Sequence, residues 1–468
     1  MTKDLFTKPV EELAPLIKNK SISPVELTKE VLDHAEDSQE KTNAHLAFYR
    51  KEAEESAQKA ETEIGKGNYR GMYHGIPMGL KDNIFFKNKV TTMASKIHKD
   101  FTPSYDATVV SKLKEAGVIF TGKLNMHEYA MSITSNNPHY GPVRNPWDLE
   151  KTPGGSSGGS GASVAADASM ASIGTDTAGS IRIPAAACGI VGLKPTRGRV
   201  SAHGVYPLSW TQDHIGPMTK TVKDAAGLLE VIAGYDEKDP ASVDRSAENY
   251  LAQITGDVKD LVIGVNEDYF FHDIDSNIEK SVRHTIQALV DQGAKVKEVK
   301  IPALEDAQMA GITFSVSEGS AIHMNSVLNN PEDFGEDIRG FLVSGAFPSS
   351  EEYAHALKVR KQLIQDFQET FKKVDVLISP TLPAMPNKIG NNFVDINGKE
   401  ADVISSFIRM TGPSNITGTP SLSIPCGFNG HLPVGLQIMG PAFSEGLVLN
   451  TGYAVEKMNL LNGRKPVL

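Results

Sequence analysis

Residues 152–163 form a glycine-serine run that reads Thr-Pro-Gly-Gly-Ser-Ser-Gly-Gly-Ser-Gly-Ala-Ser. Runs of this composition usually serve as flexible linkers between domains. Here an alanine-rich, helix-favouring stretch follows at once at residues 164–168, and a second glycine-containing loop, Gly-Thr-Asp-Thr-Ala-Gly-Ser, occupies residues 174–180. A linker does not normally lie between elements spaced so closely. We therefore interpret the run as a shaped backbone loop inside a folded domain.

The segments on either side of this run alternate between helical and strand patterns. Residues 109–116 have the apolar spacing of a helix, and residues 118–121 have the pattern of a strand. Because strands and helices alternate along the chain, we predict an α/β fold. Residues 301–350, which contain five glycines, are predicted to be a variable, irregular insertion that covers a pocket. Further predicted strands lie at residues 261–265, 296–299 and 374–378, and further predicted helices at residues 225–233, 278–289 and 349–373.

The composition excludes several classes of protein. Of the 468 residues, 47 are Lys or Arg and 57 are Asp or Glu, which gives a net charge of -10. This acidic balance argues against an electrostatic nucleic-acid or anionic-membrane partner. Two cysteines, Cys188 and Cys426, are too few for a disulfide framework. With no signal-peptide or membrane-spanning pattern, we expect a cytoplasmic protein that acts as a monomer or a homodimer.

Metal and cofactor motifs are missing from the sequence. The 13 histidines show no His-Glu-x-x-His spacing, there is no Cys-x-x-Cys pair, and the glycine run lacks the Gly-Lys-Ser/Thr of a phosphate-binding loop. We therefore predict no metal and no cofactor. The run also matches Gly-x-Ser-x-Gly, centred on Ser156 and on Ser157. That nucleophile elbow requires a preceding strand, which residues 145–151 do not resemble, so we reject it.

A lysine and two serines make a different constellation. Lys81 follows the apolar, Gly- and Pro-containing residues 75–80, where an inward-facing lysine is desolvated and its charged form disfavoured. Taken alone, a Lys-Asp pair is more often a surface turn. Ser156 and Ser180 lie in glycine-rich loops whose backbone N–H groups are free to face an anion. A neutral lysine, relayed through one serine, would activate the other without any histidine.

These motifs resemble those of the amidase signature family of serine hydrolases, most densely over residues 74–217. The resemblance implies one domain over residues 1–468, with a mixed central β-sheet covered by helices on both faces. It rests on four pieces: Gly75-Ile76-Pro77 through Lys81-Asp82, Gly154 through Ser160, Gly174 through Arg182, and Gly192-Leu193-Lys194-Pro195-Thr196.

The resemblance also assigns roles to residues. Ser180 would be the acyl-forming nucleophile, Ser156 the bridging serine held by a cis peptide bond, and Lys81 the general base. Asp176 and Arg182 would form an ion pair that supports the nucleophile loop. Many family members have glycine where this chain has Ala178. Alanine would add strain if the loop needed a positive φ at that position, and we expect it to be tolerated. The oxyanion hole would consist of the backbone N–H groups of Thr177, Ala178, Gly179 and Ser180.

The implied function is hydrolysis of a carbon–nitrogen amide bond in a small molecule. Met131 is a candidate wall of the substrate pocket, although ordinary packing is the better explanation of it. Phe314, Phe341 and Phe347 could line an acyl pocket, but single scattered aromatic residues more often belong to the core. The alternative function is that of the glutamine-hydrolysing subunit of a tRNA-dependent amidotransferase. That subunit carries an acidic residue upstream of a segment comparable to residues 415–420, and residues 407–410 here contain no carboxylate. A stand-alone amidase is therefore preferred.

Overall fold

A computed structural model describes residues 4–466 and residue 468, and its central feature is one mixed sheet of eleven strands. The strands follow the order β1-β3-β2-β4-β6-β5-β12-β13-β9-β7-β8, and β10 pairs with β11 in a separate hairpin. The strands are β1 His45–Phe48, β2 Pro77–Lys81, β3 Ile119–Leu124, β4 Ala171–Asp176, β5 Val191–Lys194, β6 His214–Thr219, β7 Val262–Val265, β8 Lys295–Glu298, β9 Val376–Pro380, β10 Phe393–Ile396, β11 Lys399–Asp402, β12 Ser421–Asn429 and β13 Leu432–Met439.

Helices flank this sheet. They are α1 Val10–Lys18, α2 Pro24–Thr42, α3 Arg50–Gly65, α4 Thr108–Glu115, α5 Gly158–Ala165, α6 Arg182–Cys188, α7 Val222–Ile232, α8 Tyr250–Gln253, α9 Glu267–Phe270, α10 Ser276–Asp291, α11 Leu304–Asn329, α12 Glu336–Ser344, α13 Ser350–Phe371, α14 Val403–Thr417 and α15 Glu445–Glu456. No helix of the described residues is long and apolar enough to cross a membrane.

The sheet combines parallel and antiparallel pairs. Strand β2 runs parallel to both β3 and β4, whereas β4 and β6 pair antiparallel, as do β12 and β13. The neighbouring strands β2, β3 and β4 are buried along their whole length, as expected for strands covered on both faces. The predicted α/β class and the mixed central sheet are confirmed.

The glycine-serine run lies inside the protein. It is buried, and its second half forms the start of α5. A Cβ atom on Gly159 would lie 2.3 Å from the carbonyl oxygen of Asn125 and 2.6 Å from that of Ala44. The glycine is therefore needed for close approach of backbone segments. The run is a shaped loop and helix start, as the sequence indicated, and not a linker.

The prediction that residues 301–350 are irregular is wrong. Most of this region is helical, with α11 alone extending over 26 residues. Glycine inside a helix costs about 1 kcal/mol relative to alanine, which is why the composition suggested irregular structure. Here Gly311 packs close to Ile416 and Gly319 close to Phe341, where a Cβ would lie 3.2 Å and 3.4 Å from the neighbouring side chain. Tight packing between α11, α12 and α14 overrides the intrinsic preference.

Candidate active site

The topology brings the lysine motif and the second serine loop to one edge of the sheet. Lys81 is the last residue of β2, and Asp176 is the last residue of the adjacent parallel strand β4. Carboxyl ends of neighbouring parallel strands meet at the same edge, which is where ligands bind in open α/β sheets. The loop that carries Ser180 starts there, directly after Asp176.

Lys81 is fully buried among hydroxyl groups. Its Nζ donates to Ser156 Oγ at 2.8 Å, to Ser157 Oγ at 2.8 Å and to Thr175 Oγ1 at 2.7 Å. Burial lowers the pKa of Lys81 to about 7, against the opposing effect of the charges on Asp176 and Asp213. A lysine with a pKa near neutrality exists partly as the free amine, which can accept a proton. The geometry thus provides a base in contact with a serine hydroxyl.

Ser156 is fixed by its backbone. The Gly155-Ser156 peptide bond is cis, as the family resemblance implied. The carbonyl oxygen of Ser156 accepts hydrogen bonds from the backbone N–H of His127 at 3.1 Å and from Ser135 Oγ at 3.2 Å. Ser156 has no exposed surface, so Lys81 meets its hydroxyl in a solvent-excluded site.

Ser180 lies at the wall of a cavity, with 5 % of its surface exposed. Among the described residues its hydroxyl has no hydrogen bond, while its carbonyl oxygen accepts one from the backbone N–H of Ser157 at 3.3 Å. The structure therefore joins Lys81 to Ser156 directly and leaves the Ser180 hydroxyl towards the cavity. The relay needs a hydrogen bond between the hydroxyls of Ser156 and Ser180. In unliganded active sites, catalytic hydrogen bonds are often long and tighten only when substrate binds.

The predicted ion pair between Asp176 and Arg182 is present and fully buried. Arg182 contacts both carboxylate oxygens, with Nη2 2.9 Å from Oδ1 and Nε 3.0 Å from Oδ2. Burial would raise the pKa of Asp176, but the charge and hydrogen bonds of Arg182 hold it well below its usual value. The remaining donors of Arg182 reach α14 and β13, where they bind Thr411 O, Ser414 Oγ, Asn415 Oδ1 and Gln437 Oε1.

The loop between Asp176 and Arg182 presents backbone N–H groups to the cavity side. Of the four donors predicted for the oxyanion hole, Gly179 is already engaged, because its N–H donates to Asp176 Oδ1 at 2.8 Å. The N–H groups of Thr177, Ala178 and Ser180 have no acceptor among the described residues, so these three are free to bind an oxyanion, and the four-donor oxyanion hole stays a prediction.

Ala178 does not have the positive φ that would strain an alanine. The residue that needs a positive φ is Gly179, at 136°, and Ala178 is not among the residues with positive φ. A Cβ on Gly179 would also lie 2.2 Å from Thr411 Oγ1. Alanine at position 178 is therefore compatible with the loop, whereas glycine at position 179 is required by it.

A cavity of about 290 Å³ adjoins this loop. Met131 lines it, as predicted, and so does Phe341; Phe314 is instead buried elsewhere in the core and Phe347 is 78 % exposed. None of the described residues that line the cavity carries a charge. The lining residues are Ala130, Met131, Ser132, Ile133, Thr177, Ala178, Ser180, Leu208, Gln212, Ala307, Gln308, Gly311, Ile312, Ser315, Val316, Phe341, Ser344, Ile404, Ser405, Ile408, Gly412 and Ile416.

Sequence reasoning missed several residues of the site. Ser157 and Thr175 share the Lys81 ammonium with Ser156, and both stand inside the two glycine-rich loops. Their position in those loops was the available signal. The partners of Arg182 in α14 and β13 had no such signal, because they follow it by more than 220 residues.

Within the described residues, no group of His, Cys, Asp or Glu side chains is placed to hold a metal ion.

A buried lysine–serine pair at the carboxyl edge of a mixed sheet, next to a braced serine loop, is the arrangement of the amidase-signature class. The chain belongs to the Amidase family, whose sequence pattern it matches over residues 26–449. It is thus an amidase-family enzyme that acts on carbon–nitrogen bonds.

Relatives with assigned roles cover the whole chain. A glutamyl-tRNA(Gln) amidotransferase subunit from Carboxydothermus hydrogenoformans is 38% identical over 99% of this chain and 100% of its own length. The protein of the same name from Geobacillus kaustophilus is 39% identical with the same coverage.

Solved structures share the fold. A chain from a vestigial protein complex that reveals the origins of an s-triazine catabolic enzyme superposes with a TM-score of 0.93 at 28% identity, covering 98% of this chain and all of its own. An amidase gives 0.88 at 33% identity, with coverage of 97% and 100%. A bacterial aryl acylamidase gives 0.89 at 27% identity, with coverage of 98% and 99%.

Proposed function

We propose that this enzyme hydrolyses uncharged amides with an apolar acyl group, through an acyl-enzyme on Ser180. One observation carries the proposal: the Lys81 ammonium contacts the Ser156 hydroxyl in a buried site, next to a cavity lined by Ser180 and by uncharged side chains. The cavity volume of about 290 Å³ fits a small acyl group. The natural substrate would be a small molecule, and the enzyme needs no cofactor for this chemistry.

The proposed reaction moves one proton along a fixed line. Neutral Lys81 takes the Ser156 proton as Ser156 takes the proton of Ser180, whose oxygen attacks the amide carbonyl. The N–H groups of Thr177, Ala178 and Ser180 would bind the resulting oxyanion. When the carbon–nitrogen bond breaks, the relay returns the proton to the departing amine.

Water completes the cycle. It gives a proton to the same relay as it attacks the ester carbonyl of the acyl-enzyme, and the tetrahedral intermediate then releases the carboxylic acid. The proton returns to the Ser180 oxygen, so Lys81 ends as the free amine. The products are a carboxylic acid and an amine or ammonia.

The lining of the cavity supports the choice of substrate. In the glutamine-hydrolysing subunit, the acidic residue would lie in the stretch comparable to residues 407–410, upstream of the segment comparable to residues 415–420. Here Ile408 and Ile416 belong to these two segments, and both line the cavity. A zwitterionic amino acid would lose its hydration there without a charged partner in the lining, which costs several kcal/mol. An apolar acyl group gains free energy from the same burial.

The second candidate is the glutamine-hydrolysing subunit of an amidotransferase, which would require partner subunits. The names of the relatives and their full-length coverage favour it. One cation also approaches the cavity from behind its wall: Arg360 Nη2 donates to Thr211 Oγ1 at 3.0 Å, next to the lining residue Gln212. In the second candidate, this guanidinium would be the cation that pairs with the substrate carboxylate.

One experiment tests the nucleophile and separates the two candidates. Intact-protein mass spectrometry after treatment with a fluorophosphonate should show one adduct on the wild type and none on Ser180→Ala. The purified chain should then hydrolyse hexanamide faster than glutamine. Release of ammonia from glutamine in preference to hexanamide, by the chain itself or only after partner subunits are added, and lost in Arg360→Gln, would instead support the second candidate. An adduct that persists on Ser180→Ala would refute both.

A further inference from the structure

Residues 127–131 form a bridge between the serine relay and the far wall of the cavity. On one side, the backbone N–H of His127 donates to the carbonyl oxygen of Ser156 at 3.1 Å. On the other side, Ala130 and Met131 line the cavity. Tyr129 and Ala130 both have positive φ values, 50° and 63°, which non-glycine residues rarely adopt. The fold holds this bridge in a conformation that it would not adopt alone.

Glu128, within the bridge, is completely buried and faces three hydrogen-bond donors. Its Oε1 lies 2.6 Å from Ser95 Oγ and 3.0 Å from His139 Nε2. Its Oε2 accepts the backbone N–H of Gly335 at 2.8 Å. No Lys or Arg of the described chain pairs with this carboxylate. The third contact is long-range, because Gly335 precedes α12 and lies 207 residues away.

The N-terminal end of α12 is held at two neighbouring points. The Glu128 contact requires glycine at position 335, where a Cβ would lie 2.9 Å from Glu128 Oε2. Beside it, His127 Nε2 lies 3.0 Å from Asp337 Oδ2. Two consecutive side chains of the bridge therefore hold the start of one helix.

Helix α12 forms part of the cavity wall through Phe341 and Ser344. Its buried residues Ile338 and Leu342 belong to the same hydrophobic cluster as Met131. A shift of α12 at its N-terminal end would move this cluster and change the depth of the cavity, without moving Lys81 or Ser180.

We infer that Glu128 is a positioning residue for acyl-chain specificity, acting by holding α12 against the bridge. The inference rests on the proposed function for its consequence, since it presumes that the cavity receives the acyl group. Its physical basis is a buried carboxylate that satisfies donors from both parts of the chain. Glutamine at this position offers only one acceptor oxygen, so either the Gly335 N–H or the Ser95–His139 pair loses its acceptor.

Hydrogen–deuterium exchange tests the clamp without reference to activity. In Glu128→Gln, the amides of residues 336–344 should exchange at least about tenfold faster than in the wild type, while those of α13 are unchanged. Glu336→Gln makes the same chemical change at an exposed position of α12 and should leave exchange as it is. Wild-type exchange over residues 336–344 in folded Glu128→Gln would overturn the inference.

Inactivation rates test the effect on specificity. Methyl- and octyl-substituted fluorophosphonates carry a short and a long chain in place of the acyl group. Glu128→Gln should reduce the rate ratio of long to short reagent about tenfold, the effect of losing one buried hydrogen bond worth about 1.4 kcal/mol. The reaction with the short reagent should change less than about twofold, because the relay is untouched. Equal loss for both reagents would overturn the positioning role.

A second variant guards against misfolding. If Glu128→Gln does not fold, Gly335→Ala disturbs the same contact from the other side, at a residue whose φ of −57° tolerates alanine. It should reproduce both effects, and failure to do so would overturn the inference. Absence of any adduct on the wild type would refute the nucleophile assignment, while the exchange experiment would still decide the clamp.

Discussion

The Nζ atom of Lys81 lies 2.8 Å from the Oγ atom of Ser156, and both residues are fully buried. A charged ammonium in such a place is costly, and burial accordingly lowers the pKa of Lys81 to about 7. The same burial that destabilises the cation supplies the free amine on which the proposed relay depends.

The rate of acyl-enzyme formation should follow the protonation of Lys81. Only the free amine accepts a proton, so kcat/KM should rise tenfold per pH unit below about 7 and level off above it. Stopped assays between about pH 5 and pH 9 would measure this. A flat profile between about pH 6 and pH 8 would contradict the assignment of Lys81 as base.

Replacing Lys81 by methionine should remove the base and preserve the volume of the side chain. We expect kcat/KM for amides to fall by about 10³-fold, the middle of the usual range for loss of a general base. The Ser157 hydroxyl still donates to the carbonyl oxygen of Thr175, and Thr175 Oγ1 still accepts from Asn83 Nδ2. The variant should therefore remain folded, as judged by its near-ultraviolet circular dichroism. Arginine at position 81 stays charged and should not restore activity.

Glycine at position 179 should be indispensable. In Gly179→Ala the new Cβ meets Thr411 Oγ1 and the backbone resists its φ of 136°, so the loop that bears Ser180 must move. We expect the fluorophosphonate reaction to slow at least about 100-fold, as when an oxyanion donor is lost. The matched control is Ala178→Gly, which should keep activity within about threefold, since nothing in the loop requires a side chain there.

Asp176→Asn should destabilise the protein chiefly by leaving Arg182 buried and uncompensated. Breaking a buried ion pair costs about 3–5 kcal/mol, which urea denaturation would detect. The folded-state pKa of Asp176 lies below the unfolded value of about 3.9, so its contribution is complete above that pH and is lost as the pH falls further. Stability of the wild type should therefore decline more steeply than that of the variant below about pH 4.

Phe341→Ala should change the preference for acyl groups without affecting the relay. Removing the ring enlarges the cavity and takes away apolar contacts, so KM for hexanamide should increase several-fold. Acetamide does not reach this wall, and its kinetic constants should stay close to those of the wild type. A uniform decrease in kcat for both substrates would show that the ring acts on the loop instead.

Local sequence patterns predicted the two serine loops and the lysine strand, because the chemistry there depends on neighbours in the chain. The ion pair between Asp176 and Arg182 was implied by the family resemblance, and the two residues lie close together in the chain. Helix α11 was not, since its glycines are explained only by side chains of α12 and α14. The hydrogen bond from the Gly179 N–H to Asp176 was not predictable either, because it depends on the geometry of the loop and not on its composition.

The groups that the two arginines of the site contact were the hardest feature to predict. Arg182 binds four groups between residues 411 and 437, and Arg360 reaches Thr211 across the fold. Such contacts are set by which strands and helices become neighbours in space. A single sequence gives periodicity and turn signals, and these do not determine pairing across hundreds of residues.

The long-range contacts of Arg182 set an order of events during synthesis of the protein. A chain emerging from the ribosome displays Lys81, Ser156 and Ser180 long before residues 411–437 exist to receive the guanidinium. Until then the support of the nucleophile loop is incomplete. A fragment that lacks the last elements would therefore carry Lys81, Ser156 and Ser180 without the contacts that support the nucleophile loop.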